Sequence, residues 1–194
     1  MKPTLTEFSK ILKVNINLPA FFAMCINTNK NLNGPCNRFQ KGTLREKGLD
    51  IYSNGRFEWV DEEGRDNRDR ITNTDIEWKT TALLTKTGRS KRYIEARIKN
   101  IMGNSDICTI KNPADFYLFG GKDGIVMCDY TLLEQYLNKT KDCIVCKVPF
   151  DKMTVVSMSK DYEEEIKKIQ ERTKELDYIK KRDEMLDNFL KEFI

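Results

Sequence analysis

The chain has 194 residues, a formal charge of +4 and a pI near 8.6, so it is long enough to bury a core and mildly basic, which is compatible with nucleic acid without specifying it. The apolar run from Leu18 to Ile26 is too short to span a bilayer, and Met1-Lys2-Pro3 leads into a polar amphipathic segment rather than a signal peptide; no membrane partner and a soluble, cytoplasmic protein are expected. Six cysteines (Cys25, Cys36, Cys108, Cys128, Cys143 and Cys146) do not imply disulfides in a reducing cytosol.

In chain order, three helices are predicted over Leu5 to Val14, Pro19 to Thr28 and Pro35 to Lys47, with Asn33-Gly34-Pro35 as punctuation. Gly48 to Tyr52 and Arg56 to Val60 flank Ser53-Asn54-Gly55, an Asn-Gly hairpin signal. A polar turn carries Glu63-Gly64-Arg65-Asp66, and Asp75-Ile76-Glu77-Trp78-Lys79 follows in a segment of strand-favouring residues. A polar loop from Thr85 to Arg92 leads to a helix-like Tyr93 to Met102. A second hairpin joins Ala114 to Phe119 and Ile125 to Tyr130 through Gly120-Gly121-Lys122-Asp123-Gly124, a turn signal and not a phosphate cradle, because no helix opens behind it. Cys143-Ile144-Val145-Cys146 has no second pair and no histidine to complete a zinc site, so it reads as a buried strand. Ser159 is placed to cap a long C-terminal helix with an acidic first turn, and Ile166, Ile169, Thr173, Leu176 and Ile179, then Leu186, Phe189, Leu190 and Phe193, form its apolar stripe. Its heptad phase is irregular from Lys180 to Asp183, short of a coiled coil.

Residues two apart in a strand point to one face, so Glu77 and Lys79 project together while Ile76 and Trp78 cover the other, buried face. If the preceding segment runs antiparallel, Asp66 returns beside Glu77, and paired carboxylates can bind a hard divalent cation such as Mg²⁺. The chain contains its own control: Glu165-Ile166-Lys167 has the same spacing in a helical stretch, where residues two apart diverge. A hairpin with a solvated charged face has the same pattern as a nuclease site, and from these residues alone both readings stay open.

With Glu63-Gly64-x-Asp66, Asp75-x-Glu77-x-Lys79, the helix-like segment and the Phe116 to Tyr130 hairpin in place, the middle half of the chain resembles the PD-(D/E)xK nuclease superfamily and, within it, the PvuII-like type II restriction endonucleases. The resemblance implies an α/β fold: a restriction-endonuclease-like core with a central mixed β-sheet flanked by helices, and a long C-terminal helix. A nuclease-like domain would span residues 1–158 (1–47 helical, 48–158 carrying the catalytic sheet and recognition loop), and residues 159–194 would form the C-terminal helix. Asp66 and Glu77 would be Mg²⁺ ligands, Lys79 would orient or activate the hydrolytic water, and Glu63 could hold a second metal or its water. Asp50 is the alternative first acid, and Glu46 is a further acid nearby in sequence. No proline precedes Asp66, and the absence of histidine, which the PvuII enzyme uses in reading its site, means that no target sequence carries over.

The likeness implies Mg²⁺-dependent cleavage of double-stranded DNA by a twofold homodimer, leaving a 5′ phosphate. Lys86, Thr87, Arg89, Ser90, Lys91 and Arg92, just after the catalytic strand, are the expected DNA-binding residues, either reading guanine edges or contacting phosphates. Two other functions share these residues: a structure-specific or phage-recombination nuclease of the same fold, and a non-catalytic DNA-binding or partner-binding protein.

Overall fold

The computed structural model describes residues 2–31, 37–62, 65–100, 110, 112–140 and 143–191. It is an α/β chain with three helices at the start: α1 (Leu5–Asn15), α2 (Leu18–Asn31) and α3 (Asn37–Tyr52). Thr4 and Glu7 close a reciprocal capping box on α1, the Thr4 hydroxyl accepting from the Glu7 N–H at 3.3 Å and the Glu7 carboxylate from the Thr4 N–H at 2.8 Å. Six strands then build one mixed sheet in the order β1-β2-β3-β5-β6-β9: β1 (Phe57–Glu62), β2 (Arg65–Asp69), β3 (Thr74–Thr80), β5 (Phe116–Gly121), β6 (Gly124–Asp129) and β9 (Thr154–Met158). All neighbours are antiparallel except β3 and β5, which run parallel. A smaller sheet, β4-β8-β7, is made from β4 (Tyr93–Asn100), β8 (Cys143–Pro149) and β7 (Leu137–Lys139). A short α4 (Tyr130–Glu134) follows β6, and α5 (Glu163–Lys191) is the long C-terminal helix.

The alternation of β3 sorts the molecule into layers. Ile76 and Trp78 pair with Phe116 and Leu118 and enter one core with Phe8, Leu12, Phe21, Phe22 and Leu49 of the helices and Ile166 of α5. Phe8 stacks on Phe116 with ring centroids 4.7 Å apart. On the opposite face Tyr117, Phe119, Val126 and Cys128 form a second core with Ile94, Cys146 and Val148 of the smaller sheet. Strand β5 is therefore buried on both sides, which is why Phe-Tyr-Leu-Phe-Gly-Gly reads as a continuous apolar run. No single described helix is long and apolar enough to cross a membrane.

Four sequence expectations are corrected. Gly48 to Tyr52 is not a strand but the last turns of α3, because Arg45, Leu49 and Tyr52 recur at helical spacing on its inward side. Asn54 and Gly55, both at positive φ, end that helix, with the Gly55 N–H donating to the Asp50 carbonyl at 2.8 Å, so the Asn-Gly signal marks a helix terminus. Tyr93 to Asn100 is strand β4 rather than a helix, since Ile94, Ala96 and Ile98 face the second core and the segment pairs along β8. Ser159 does not cap α5: it opens a 3-10 turn, Ser159–Tyr162, and α5 begins at Glu163. Glu165-Ile166-Lys167 does fall within α5.

The β5–β6 turn is packed tightly enough to give a stability prediction. A Cβ built on Gly120 would lie 2.0 Å from the Gly124 carbonyl oxygen. Gly120→Ala is expected to destabilise the chain by more than about 1 kcal/mol; an unchanged chemical-denaturation midpoint would contradict that packing.

Candidate active site

The site is built where β2 meets β3. Their register pairs Asn67 with Ile76 and Arg68 with Asp75, and continuing it sets Asp66 opposite Glu77. The backbone ladder stops at Asn67: β1 carries an irregularity between Trp59 and Glu62, and Arg65 turns to pair with Glu62. In place of a partner carbonyl, the Asp66 carboxylate accepts the Trp78 N–H at 2.6 Å. Asp66 is thereby anchored to the strand that carries Glu77 and Lys79.

Glu77 and Lys79 share the second face of β3, and the Lys79 ammonium donates to Glu77 Oε1. Glu77 Oε2 is buried and has no hydrogen-bond partner. Burial, the facing charge of Glu77 and then that of Glu46 on α3 push the Asp66 carboxyl up to about 7. Tyr117, beside Glu77 in the parallel pair, has a buried hydroxyl, and burial followed by the charge of Glu77 drives its phenol well above the ordinary tyrosine range. These observations describe two crowded carboxylates with one orphaned oxygen, an arrangement that a divalent cation relieves. Two carboxylates, completed by water and phosphate oxygens, suit Mg²⁺. Among the described residues no three acidic, histidine or cysteine side chains converge on one point, so Asp66 and Glu77 would be its protein ligands.

The remaining candidates separate. Asp75 is occupied by Arg68 at 2.8 Å and Arg65 at 3.4 Å. Asp50, the alternative first acid, sits at the end of α3, where its carboxylate accepts the Trp59 N–H at 3.2 Å; it is not among the charged neighbours of Asp66, so the structure does not bring it to the pair. Glu63 lies outside the described residues. Tyr117 is the site residue that motif spacing misses, because it comes from a strand forty positions later; Glu46, expected only as a further acid nearby, reaches the pair from the preceding helix α3.

Lys86, Thr87, Arg89, Ser90, Lys91 and Arg92 lie together on a hairpin-like loop between β3 and β4, and all but the part-buried Lys91 are exposed. A Leu84–Ser90 bridge and a 2.7 Å bond from the Thr85 N–H to the Arg89 carbonyl close it. The Arg92 guanidinium lies 5.3 Å over the Tyr93 ring, which orients the base of the loop.

No family model, curated protein or solved structure matches this chain. The fold and the site geometry therefore carry the functional reading unaided. The four described cysteines, Cys25, Cys128, Cys143 and Cys146, are free and buried, and Cys143 and Cys146 lie in strand β8.

Proposed function

We propose that this chain is a Mg²⁺-dependent endonuclease of double-stranded DNA, acting as a twofold homodimer on a short specific sequence in the manner of a type II restriction endonuclease. The observation that carries this reading is the placement of Asp66 across from Glu77-x-Lys79 on a mixed sheet, with a buried, unpartnered Glu77 oxygen. Asp66 and Glu77 would hold Mg²⁺. When bound, the ion would lower the pKa of a coordinated water and withdraw charge from the phosphate.

The chain's own residues supply positioning and electrostatics. Lys79, held by Glu77, is placed to donate to the attacking water and keep it in line with the phosphorus. Water adds to phosphorus and releases one proton to solvent as the P–O3′ bond breaks, leaving a 5′ phosphate, and O3′ takes a proton from solvent. Glu77 retains only 7 % of its surface, so DNA would approach over Asp66 and Lys79, the more exposed members.

Purified protein incubated with plasmid and phage DNA, with Mg²⁺ and with EDTA, tests the reading. Discrete metal-dependent bands are the expected product. A smear would favour the structure-specific alternative, and intact DNA across substrates and metals would favour the non-catalytic binder.

The loop makes a separate prediction. Changing Lys86, Arg89 and Lys91 together to alanine is expected to weaken DNA binding and reduce the log–log salt slope by about 3. An unchanged slope would remove the loop from the interface.

A further inference from the structure

A second site lies at the foot of the loop between β3 and β4. There the first residue of β4 pairs with the last of β8, Tyr93 with Pro149, and the Phe150 N–H donates to the Arg92 carbonyl at 3.0 Å. The Lys91 N–H donates to the Leu83 carbonyl at 2.9 Å, so backbone bonds fix both edges of the opening before any ligand arrives. The opening is a cavity of about 450 Å³ lined by Lys91, Arg92, Tyr93, Pro149, Phe150 and Asp151. Small-molecule sites span roughly 300–1,000 Å³.

The lining divides by chemistry. Two cations lie over the Tyr93 ring, the Arg92 guanidinium at 5.3 Å and the Lys147 ammonium at 5.0 Å, and Lys147 is also paired with Glu95 at 3.2 Å. Tyr93 is therefore the support that holds Arg92, and Lys147 is not counted toward the cavity. Arg92 is exposed, and a guanidinium resting on one ring can stack a planar base on its other face. Pro149 and the half-buried Phe150 give an apolar wall, and Asp151, exposed on the 3-10 turn Phe150–Lys152, puts a carboxylate at the rim. A bare anion gains nothing from that wall and is repelled by that carboxylate. A nucleotide uses every part: its base stacks on Phe150 and the guanidinium, its phosphate meets the Lys91 ammonium, and its base edge donates to Asp151. Guanine presents two adjacent donors, N1–H and the N2 amino group, which match the two oxygens of an acceptor-only carboxylate.

We propose that this cavity binds a guanine nucleotide whose base is unpaired. The nucleotide is either free or an unpaired residue of a strand lying along the Lys86 to Arg92 loop, and both present the same chemistry. The site needs neither Asp66 nor Glu77, so it goes beyond the nuclease reading and does not rest on it.

The test titrates the full chain in EDTA with guanosine monophosphate, inorganic phosphate and a guanine-containing single-stranded oligonucleotide, following amide NMR shifts. Guanosine monophosphate is expected to shift Arg92, Tyr93, Phe150 and Asp151, and inorganic phosphate to leave Phe150 and Asp151 unmoved. Asp151→Ala should weaken the nucleotide about tenfold. Phe150→Ala should weaken it as well; Asp151, at an exposed position, keeps the test valid if that variant folds poorly. Displacement of the nucleotide by the oligonucleotide supports the strand as its source, and binding without competition supports the free nucleotide. Unchanged or tighter binding in Asp151→Ala would reveal a plain anion site and overturn the inference. Absence of shifts at residues 91–93 and 150–151 with nucleotide and oligonucleotide alike overturns it too, whatever the Mg²⁺-dependent cleavage assay shows.

Discussion

Replacing Glu77 by Gln is expected to lower the rate of DNA cleavage by about a thousandfold while leaving DNA affinity in EDTA close to wild type. The substitution keeps the volume of a side chain that is almost fully buried and removes one of the two charges that would hold Mg²⁺. Lys79→Ala should also abolish cleavage, with a larger loss of stability, because it strips the buried Glu77 carboxylate of its ion-pair partner. Cleavage by either variant at the wild-type rate would sink the assignment of Asp66, Glu77 and Lys79 as the active site. Loss of binding together with cleavage in folded Glu77→Gln would point instead to a role in recognition.

Asp66 gives the second large effect, through pH. Its carboxyl is raised from an ordinary value of 3.8 to about 7 by burial, by Glu77 and by Glu46. The folded chain then binds more protons than the unfolded chain between those two values, so stability falls as pH rises from about 4 to about 7 and stays reduced above. The loss is on the order of 2–4 kcal/mol. Asp66→Asn removes the charge but keeps an oxygen to accept the Trp78 N–H. In EDTA near pH 8 the variant is expected to melt above the wild type, and the difference should shrink as pH is lowered toward 5. Mg²⁺ should raise the wild-type melting temperature near pH 8 and leave that of Asp66→Asn unchanged. A wild-type-minus-variant difference that is flat across this range would show that Asp66 is not crowded by like charge.

These two experiments divide the chemistry from the electrostatics of the site. The first needs substrate and reports on turnover. The second needs none, so it tests the paired carboxylates even if the correct DNA has not been found.

Much of the site was legible before folding because strand alternation is local. Ile76 and Trp78 against Glu77 and Lys79 is a period of two, and the structure buries the first pair among the helices and turns the second to the opposite face. The segment Tyr93 to Asn100 shows how the same signal can be overruled in reading. Ile94, Ala96 and Ile98 alternate, but Glu95, Ala96, Arg97 and Lys99 also favour helix, and only pairing along β8 selects the strand. Asn54-Gly55 was ambiguous for a related reason: two successive residues at positive φ serve a hairpin or a helix end equally, and the burial of Leu49 among Phe21 and Phe57 decides for the helix.

By itself the sequence determined the features set by neighbours in the chain: the start of α1, the two faces of β3, the tight Gly120 to Gly124 turn and the acidic opening of α5. The tertiary structure alone decided that Asp66 rather than Asp50 meets Glu77, that Glu46 and Tyr117 join them, and that Arg45 reaches Gly121 across the sheet end. Those contacts join residues separated by 11 to 76 positions. Their geometry comes from strand order, register and the β1 irregularity, which are settled by burying both faces of β5 and not by any local preference.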